Sequence, residues 1–142
     1  MHVRGFKTEL NPTPQQVVAL RQHAGSARFA YNWGLSRKQE EYQKTGKSPS
    51  AIDLHRELNA KKQTEFPWMY ESSKCAPQEA LRNLDKAFKN FFSNCKKKKN
   101  GNHNGKCGFP KMKTRKNGRG SFRLTGSIKV EEGHVTLPRI GR

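Results

Sequence analysis

The stretch PQEALRNLDKAFKNFFSNC, residues 77–95, decides how this chain is read. Leu81, Leu84, Phe88, Phe91 and Cys95 recur at steps of three or four, so one helical stripe would carry them, with Arg82, Asp85, Lys86 and Lys89 outside it. This is the strongest amphipathic signal in the chain, and it predicts a helix from near Pro77 to about Asn94. Midway along it, after Asp85, the acids stop. From residue 86 to 130 there is no Asp or Glu, while Lys and Arg number 14, so 14 of the 18 net positive charges fall in 45 of the 142 residues. The other 97 residues hold 15 basic and 11 acidic groups, an ordinary balance. A solvated, disordered basic tail is one reading of such a run. Phe109, Met112, Phe122, Leu124, Ile128 and Val130 argue against it, because apolar residues recur through the stretch.

Within it, residues 96–106, KKKKNGNHNGK, read as the start of a basic flexible loop covering 96–120. After the loop the period changes to two. Phe122 and Leu124 share a face, and Ile128/Val130 and Val135/Leu137 flank Glu132-Gly133, a tight hairpin turn. Upstream of the central helix, a second one is predicted over 49–64, capped by Ser48, with Ile52, His55 and Leu58 on one face and Pro67 breaking the chain beyond it. A first helix starts at Thr13-Pro14, runs to about Lys44 on Val17, Leu20, Ala24, Ala27, Tyr31 and Leu35, and closes at Thr45-Gly46; Gly25-Ser26 would kink or split it. Residues 3–10, VRGFKTEL, alternate in part and read as a short strand with Phe6, Thr8 and Leu10 on one face.

The order is α+β: a first strand in 1–12, a lobe of three to four helices in 13–95, the basic loop, then antiparallel strands in 121–142. The first strand is expected to rejoin the late ones in one sheet or open barrel, with the helices inserted between them. So few short strands rarely close a barrel, so the chain reads as part of a larger fold or a shortened version of one.

Composition narrows the function. A length of 142 residues suits one domain or two small lobes, and only 32% of residues are apolar against roughly 45–50% for a globular chain. No run of about 18 apolar residues could span a membrane, and no short apolar segment follows Met1 as in a secretory signal. Cys75, Cys95 and Cys107 are an odd count at irregular spacing, which fits free thiols in a reducing, intracellular setting. Metal-dependent phosphoryl chemistry needs carboxylates converging on ions roughly 4 Å apart. The 11 acids lie mostly where polar helix faces are expected, and none ends a hydrophobic strand. Zinc would need a fourth ligand beside Cys95, His103 and Cys107, from His134 or Cys75. The His residues suggest no nucleophile–base pair, and no phosphate-cradling Gly motif is present. These residues therefore imply no catalytic group, no metal and no cofactor.

A net charge of +18 points to a polyanion, first of all nucleic acid. Candidate phosphate contacts are Lys86, Lys89, Lys96, Lys97, Lys98 and Lys99 on or after the central helix, and Lys111, Lys113, Arg115, Lys116, Arg119 and Arg123 beyond it. Phe109, Phe122 and Trp68 could stack on bases or belong to the core. Arg28, Lys74, Gln78 and Arg82 fall at or near helix starts, as base or phosphate readers or as members of a solvated helix face.

Four segments resemble elements of the TnpB (OrfB) family of transposon-encoded proteins. Residues 27–33, ARFAYNW, resemble its ARFVYN element; KCAPQEALRNL at 74–84, followed by AFKNFF at 87–92, resembles its Q-x-A-L-x-x-L…A-[FY]-K-N-F-F element. GFPKMK at 108–113 resembles GFPRFK, and VTLPRIG at 135–141 resembles LKLPKLG, with Arg142 where the family carries Trp. Their order and approximate spacing match from end to end. The resemblance implies the N-terminal part of an RNA-guided DNA endonuclease: a first wedge strand, an inserted recognition lobe bearing a helix-turn-helix, and some later strands of a wedge-type β-barrel. The family's RuvC carboxylates and zinc-ligating cysteines would lie past this chain, on a separate or downstream nuclease domain. The implied partners are a structured guide RNA and double-stranded DNA, with no membrane, in a cytoplasmic, nucleoid-associated setting. Lys74, Gln78 and Thr125 match the family's readers of the DNA motif beside the target, and Ala51 replaces an aromatic reader. A stand-alone basic RNA- or DNA-binding protein, such as a small regulator or ribosome-associated protein, is the alternative.

Overall fold

The computed structural model of the chain describes residues 2–101, 107–117 and 120–141. Helix α1 spans Pro14–Thr45. Its start is a reciprocal cap, in which the Gln16 N–H donates to the Thr13 hydroxyl at 3.3 Å and the Thr13 N–H donates to the Gln16 side-chain oxygen at 2.9 Å. Gly46 ends it in the left-handed conformation (φ 74°), its N–H bonding the Tyr42 carbonyl at 2.8 Å. The split expected as one outcome at Gly25-Ser26 does not occur, and one helix runs through both residues. Ser26 is buried, and its hydroxyl donates to Ser72 Oγ at 3.3 Å instead of competing for the helix backbone.

Helix α2 spans Ala51–Lys62 and starts later than expected. Ser50, not Ser48, is the cap, because Asp53 stands three residues after it and closes a second reciprocal box. Its inward face is Leu54, Leu58 and Lys62, whereas Ile52 is 72% exposed, so the expected stripe is rotated. A 3-10 turn, Pro67–Glu71, follows and tucks Met69 into the core. Helix α3 spans Cys75–Lys99, longer than expected at both ends. Residues 96–99 continue the helix and are not loop. Lysine is a good helix former, and four positive charges suit the negative end of the helix dipole.

The core joins Ala27, Ala30, Tyr31 and Leu35 of α1, Leu54 and Leu58 of α2, Met69, and Ala76, Ala80, Leu81 and Leu84 of α3. Small residues let α1 and α3 approach closely: a Cβ on Gly34 would lie 2.7 Å from Leu81 Cδ2 and 2.9 Å from Leu84 Cδ2. One polar junction ties all three helices. The buried Lys38 ammonium pairs with Asp85 at 2.7 Å and donates to the Pro49 carbonyl, while the other Asp85 oxygen accepts the first N–H of α2, from Ala51, at 2.7 Å. The start of α3 is pinned to α1 by His23. Its Nδ1 donates to the Ala19 carbonyl at 2.7 Å and its Nε2 accepts the Ser73 N–H at 3.0 Å, which fixes the tautomer.

After α3 the chain returns along the helices. Phe109 packs edge-on against Phe88 and Phe91 at 5.3 and 5.4 Å. Strands β1 (Lys129–Glu131) and β2 (His134–Thr136) form an antiparallel hairpin with Val130 opposite Val135 and Gly133 at φ 77° in the turn, as its Glu132-Gly133 signal implies. The strands expected in 3–10 and 121–125 are not formed. Val3 and Phe6 are 92% and 90% exposed, and the 3–10 segment has no ladder partner among the described residues. Phe122 and Leu124 pack on the helical core, which takes that segment away from strand pairing. The fold is therefore α+β, mostly helical with one small antiparallel pair, and no barrel forms among the described residues.

Candidate nucleic-acid interface

The returning segment and the α1–α3 seam enclose a cleft of about 370 Å³. Its floor is small, with Ala24, Ala27, Ala76 and Ala80. Gly120 closes one side where a Cβ would stand 2.8 Å from Ala24 Cβ, so only glycine permits this approach. Among the described residues, the charged groups lining it are Arg28, Lys113 and Arg123, and no acid lines it. Tyr31, Phe122 and Met112 supply apolar surface, and Asn83 an amide.

A polar clamp holds the far wall. Asn32 Nδ2 donates to the Lys113 carbonyl at 2.8 Å, and the Lys113 N–H donates to Asn32 Oδ1 at 2.7 Å. The two residues are 81 apart in sequence. The clamp sets the Lys113 ammonium 4.7 Å from the centre of the Tyr31 ring. Burial pushes the Tyr31 hydroxyl above its ordinary range, so it stays neutral.

A second constellation lies at the head of α3. Lys74 occupies the cap position and is exposed. The Cys75 thiol lies 3.5 Å from both the carbonyl and the hydroxyl of Thr125, so residues 50 apart in sequence meet beside Lys74. The hydrogen bond from Thr125 holds the Cys75 thiol below its ordinary value. Gln78, half-buried, follows one turn on, its N–H bonded to the Lys74 carbonyl at 3.3 Å. Arg82 follows by another turn and pairs with the buried Glu79 at 2.9 Å.

The structure thus groups Arg28, Lys113 and Arg123 in the cleft and Lys74, Gln78 and Thr125 at the α3 head. Lys86, Lys89 and residues 96–99 are exposed along the rest of α3. Lys111, Arg115 and Lys116 are exposed on the returning segment, away from the cleft lining, and Arg119 lies outside the described residues. The proposed stackers have packing partners: Phe109 on α3, Phe122 on His23 at 5.2 Å, and Trp68 on Phe29 at 5.1 Å. Among the described residues no three metal-type side chains converge; His103 lies outside them. Sequence reasoning missed Asn32, Tyr31 and Asn83 as parts of the cleft. The signal was available in part, since Asn32 sits in ARFAYN and Lys113 in GFPKMK, two of the segments carrying the family resemblance.

Several proteins match this chain. A helix-turn-helix domain of the OrfB type matches residues 1–47. InsQ of Escherichia coli (strain K12), provisionally named an RNA-guided DNA endonuclease, is 29% identical over 98% of this chain. A Streptomyces pristinaespiralis protein with the same provisional title is 30% identical over 96% of it. The chain spans 32% of the length of each of these two relatives. Virulence protein VsdF of Salmonella dublin is 32% identical over 64% of this chain and 83% of its own length. With its four motif segments in family order and its N-terminal helix-turn-helix match, the chain belongs to the TnpB (OrfB) family.

Proposed function

We propose that this chain is the nucleic-acid-binding part of a TnpB-like transposon protein, which holds a structured guide RNA and reads a short DNA motif beside the target. The observation that carries this reading is the meeting of Thr125 with Cys75 at the α3 head, beside Lys74 and one turn before Gln78. An amide at that place can make a bidentate contact with adenine in the major groove, and an ammonium can reach a base acceptor or a phosphate. The cleft with Arg28, Lys113 and Arg123, together with the exposed lysines of α3, takes RNA phosphates. In this reading 3–10 and 121–141 are wedge strands that pair when the family's β-barrel is complete. The protein works in the cytoplasm at the nucleoid; among the described residues no helix is long and apolar enough to cross a membrane.

This part binds and does not cut. Many of its acids have structural partners: Glu40 and Glu57 hold Arg37, Asp53 caps α2, Glu79 holds Arg82 and Asp85 holds Lys38. A nuclease domain elsewhere would supply the metal-binding carboxylates. One observation favours a second reading, a stand-alone basic nucleic-acid-binding protein: the Salmonella relative is matched over 83% of its own length.

The test is binding to structured RNA and to duplex DNA at several salt concentrations. Six to ten phosphate contacts would lose about three to five decades of affinity between roughly 50 and 200 mM salt. Gln78→Ala should relax discrimination at one base pair by about 1–3 kcal/mol, whereas Lys97→Ala should weaken all sequences alike. A flat salt response, or unchanged base ratios in Gln78→Ala, overturns the reading.

A further inference from the structure

The path of the returning segment brings two of the three cysteines together. Its register is set at two points on α3. Phe109 packs on Phe88 and Phe91, at 5.3 and 5.4 Å between ring centres, and Thr125 meets Cys75 at 3.5 Å. The segment therefore runs antiparallel to α3. Cys95 stands one turn beyond Phe91 on the same face of the helix, about 6 Å along its axis. Cys107 stands just before Phe109, two residues up the chain, a reach of at most about 7 Å. The two steps match. The Cys95 and Cys107 thiols share a hydrogen bond, and both residues are half-buried. Cys75 opens α3 at its other end, about 30 Å from Cys95, and takes no part. Among the described residues no third His, Cys, Asp or Glu joins the pair.

We infer that Cys95 and Cys107 form a reversible dithiol–disulfide pair, oxidised by a low-molecular-weight disulfide such as oxidised glutathione. The thiolate of one cysteine attacks a sulfur of the small disulfide, which gives a mixed disulfide and releases one small thiol. The second cysteine gives its proton to solvent and attacks the protein-bound sulfur. The Cys95–Cys107 bond forms and the second small thiol leaves. Two protein thiols thus lose two electrons and two protons, and the small disulfide gains them as two thiols. Partial burial, and then the bond with Cys107, hold the Cys95 thiol above its ordinary range against the pull of Lys98, so at neutral pH it rests as a thiol. The bridge joins α3 to the returning segment and encloses residues 96–106, with five lysines, in one covalent ring. Bridges of this kind in a reducing compartment are transient and respond to the thiol pool. The pair's chemistry is independent of what the chain binds.

The experiment equilibrates the 142-residue chain in buffers of reduced and oxidised glutathione, with a chelator present, at a protein concentration that keeps it monomeric. Free thiols are then alkylated and the digested peptides are weighed. Oxidising buffer should give a peptide pair linked through Cys95 and Cys107, with Cys75 alkylated, and excess reduced glutathione should release it. The thermal midpoint of wild type should rise by about 5–10 °C on oxidation, because a ring of this size restricts the unfolded chain. Cys95→Ser and Cys107→Ser should show no such rise. Overturning results are both cysteines still alkylated in oxidising buffer, separate glutathione adducts on each, or a bridge that involves Cys75. A Cys95–Cys107 bridge that lowers the midpoint means that the fold does not hold the two together, and overturns the pair as well.

Discussion

Replacing Asn32 by Ala tests whether the basic cleft is a built feature. Asn32 makes two short bonds to the Lys113 backbone, at 2.8 and 2.7 Å, which tie the returning segment to α1. A hydrogen bond that water can replace contributes about 0.5–1.5 kcal/mol, so the pair contributes roughly 1–3 kcal/mol. Releasing the segment also frees Lys113 from the Tyr31 face, worth about 0.5–1 kcal/mol at an exposed site. A loss near 2 kcal/mol would lower the midpoint of thermal unfolding by about 4–8 °C in a chain of this size. Local opening should increase more visibly, since 2 kcal/mol is about a thirtyfold change in an equilibrium. Trypsin, with Lys111, Lys113 and Arg115 in reach, should therefore cut the returning segment about ten to thirty times faster. Asn32→Asp is the isosteric control. It keeps the acceptor for the Lys113 N–H but sets a carboxylate against the Lys113 carbonyl, so it should also open the segment. Unchanged cleavage in Asn32→Ala, with a midpoint within about a degree of wild type, would refute the clamp.

Gly34→Ala gains up to about 1 kcal/mol of helix propensity but pushes a methyl within 3 Å of Leu81 and Leu84, both fully buried; overpacking of about 1–3 kcal/mol should win, seen as a lower denaturant midpoint. Asp85→Ala leaves the buried Lys38 ammonium with only neutral acceptors and frees the Ala51 N–H, so it should cost about 2–4 kcal/mol, and the double variant with Lys38→Met should recover much of that. His55 is held below its ordinary value by burial and then by Lys62, Lys74 and Arg82, so the folded chain binds its proton less readily than the unfolded one. Its contribution to stability is therefore complete above about pH 6.5 and lost as pH falls below that, by at most about 1.4 kcal/mol per unit. His55→Gln should remove that part of the slope, and an identical pH profile in wild type and variant would contradict the assignment.

Much of the local structure was legible because it is written at short range. Thr13-Pro14 and Gly46 bracket α1 as their types require, and Glu132-Gly133 turns the β1–β2 hairpin. Where the reading went astray, a competing local rule was stronger. Ser50 outranks Ser48 because Asp53 completes its box, and four lysines extend α3 because helix propensity and dipole outweigh their mutual repulsion. The expectation of a polyanionic partner followed from charge alone, and the family from the order of four short segments.

What the sequence could not determine is which distant residues meet. The Asn32 clamp joins positions 81 apart, and Thr125 reaches Cys75 across 50 residues. Lys62 reads as one more surface lysine at the end of a helix until α2 rotates its Leu54–Leu58 face inward and carries it along. The expected first strand shows the same limit from the other side. Alternation at 3–10 satisfies a strand locally, but a strand persists only when a neighbour completes its hydrogen bonds, and among the described residues none does. Helical caps and periods close within one turn of their own chain, so the sequence alone determines them. Ladders, clefts and buried ion pairs such as Lys38–Asp85 depend on partners brought from elsewhere, and only the tertiary structure decides those.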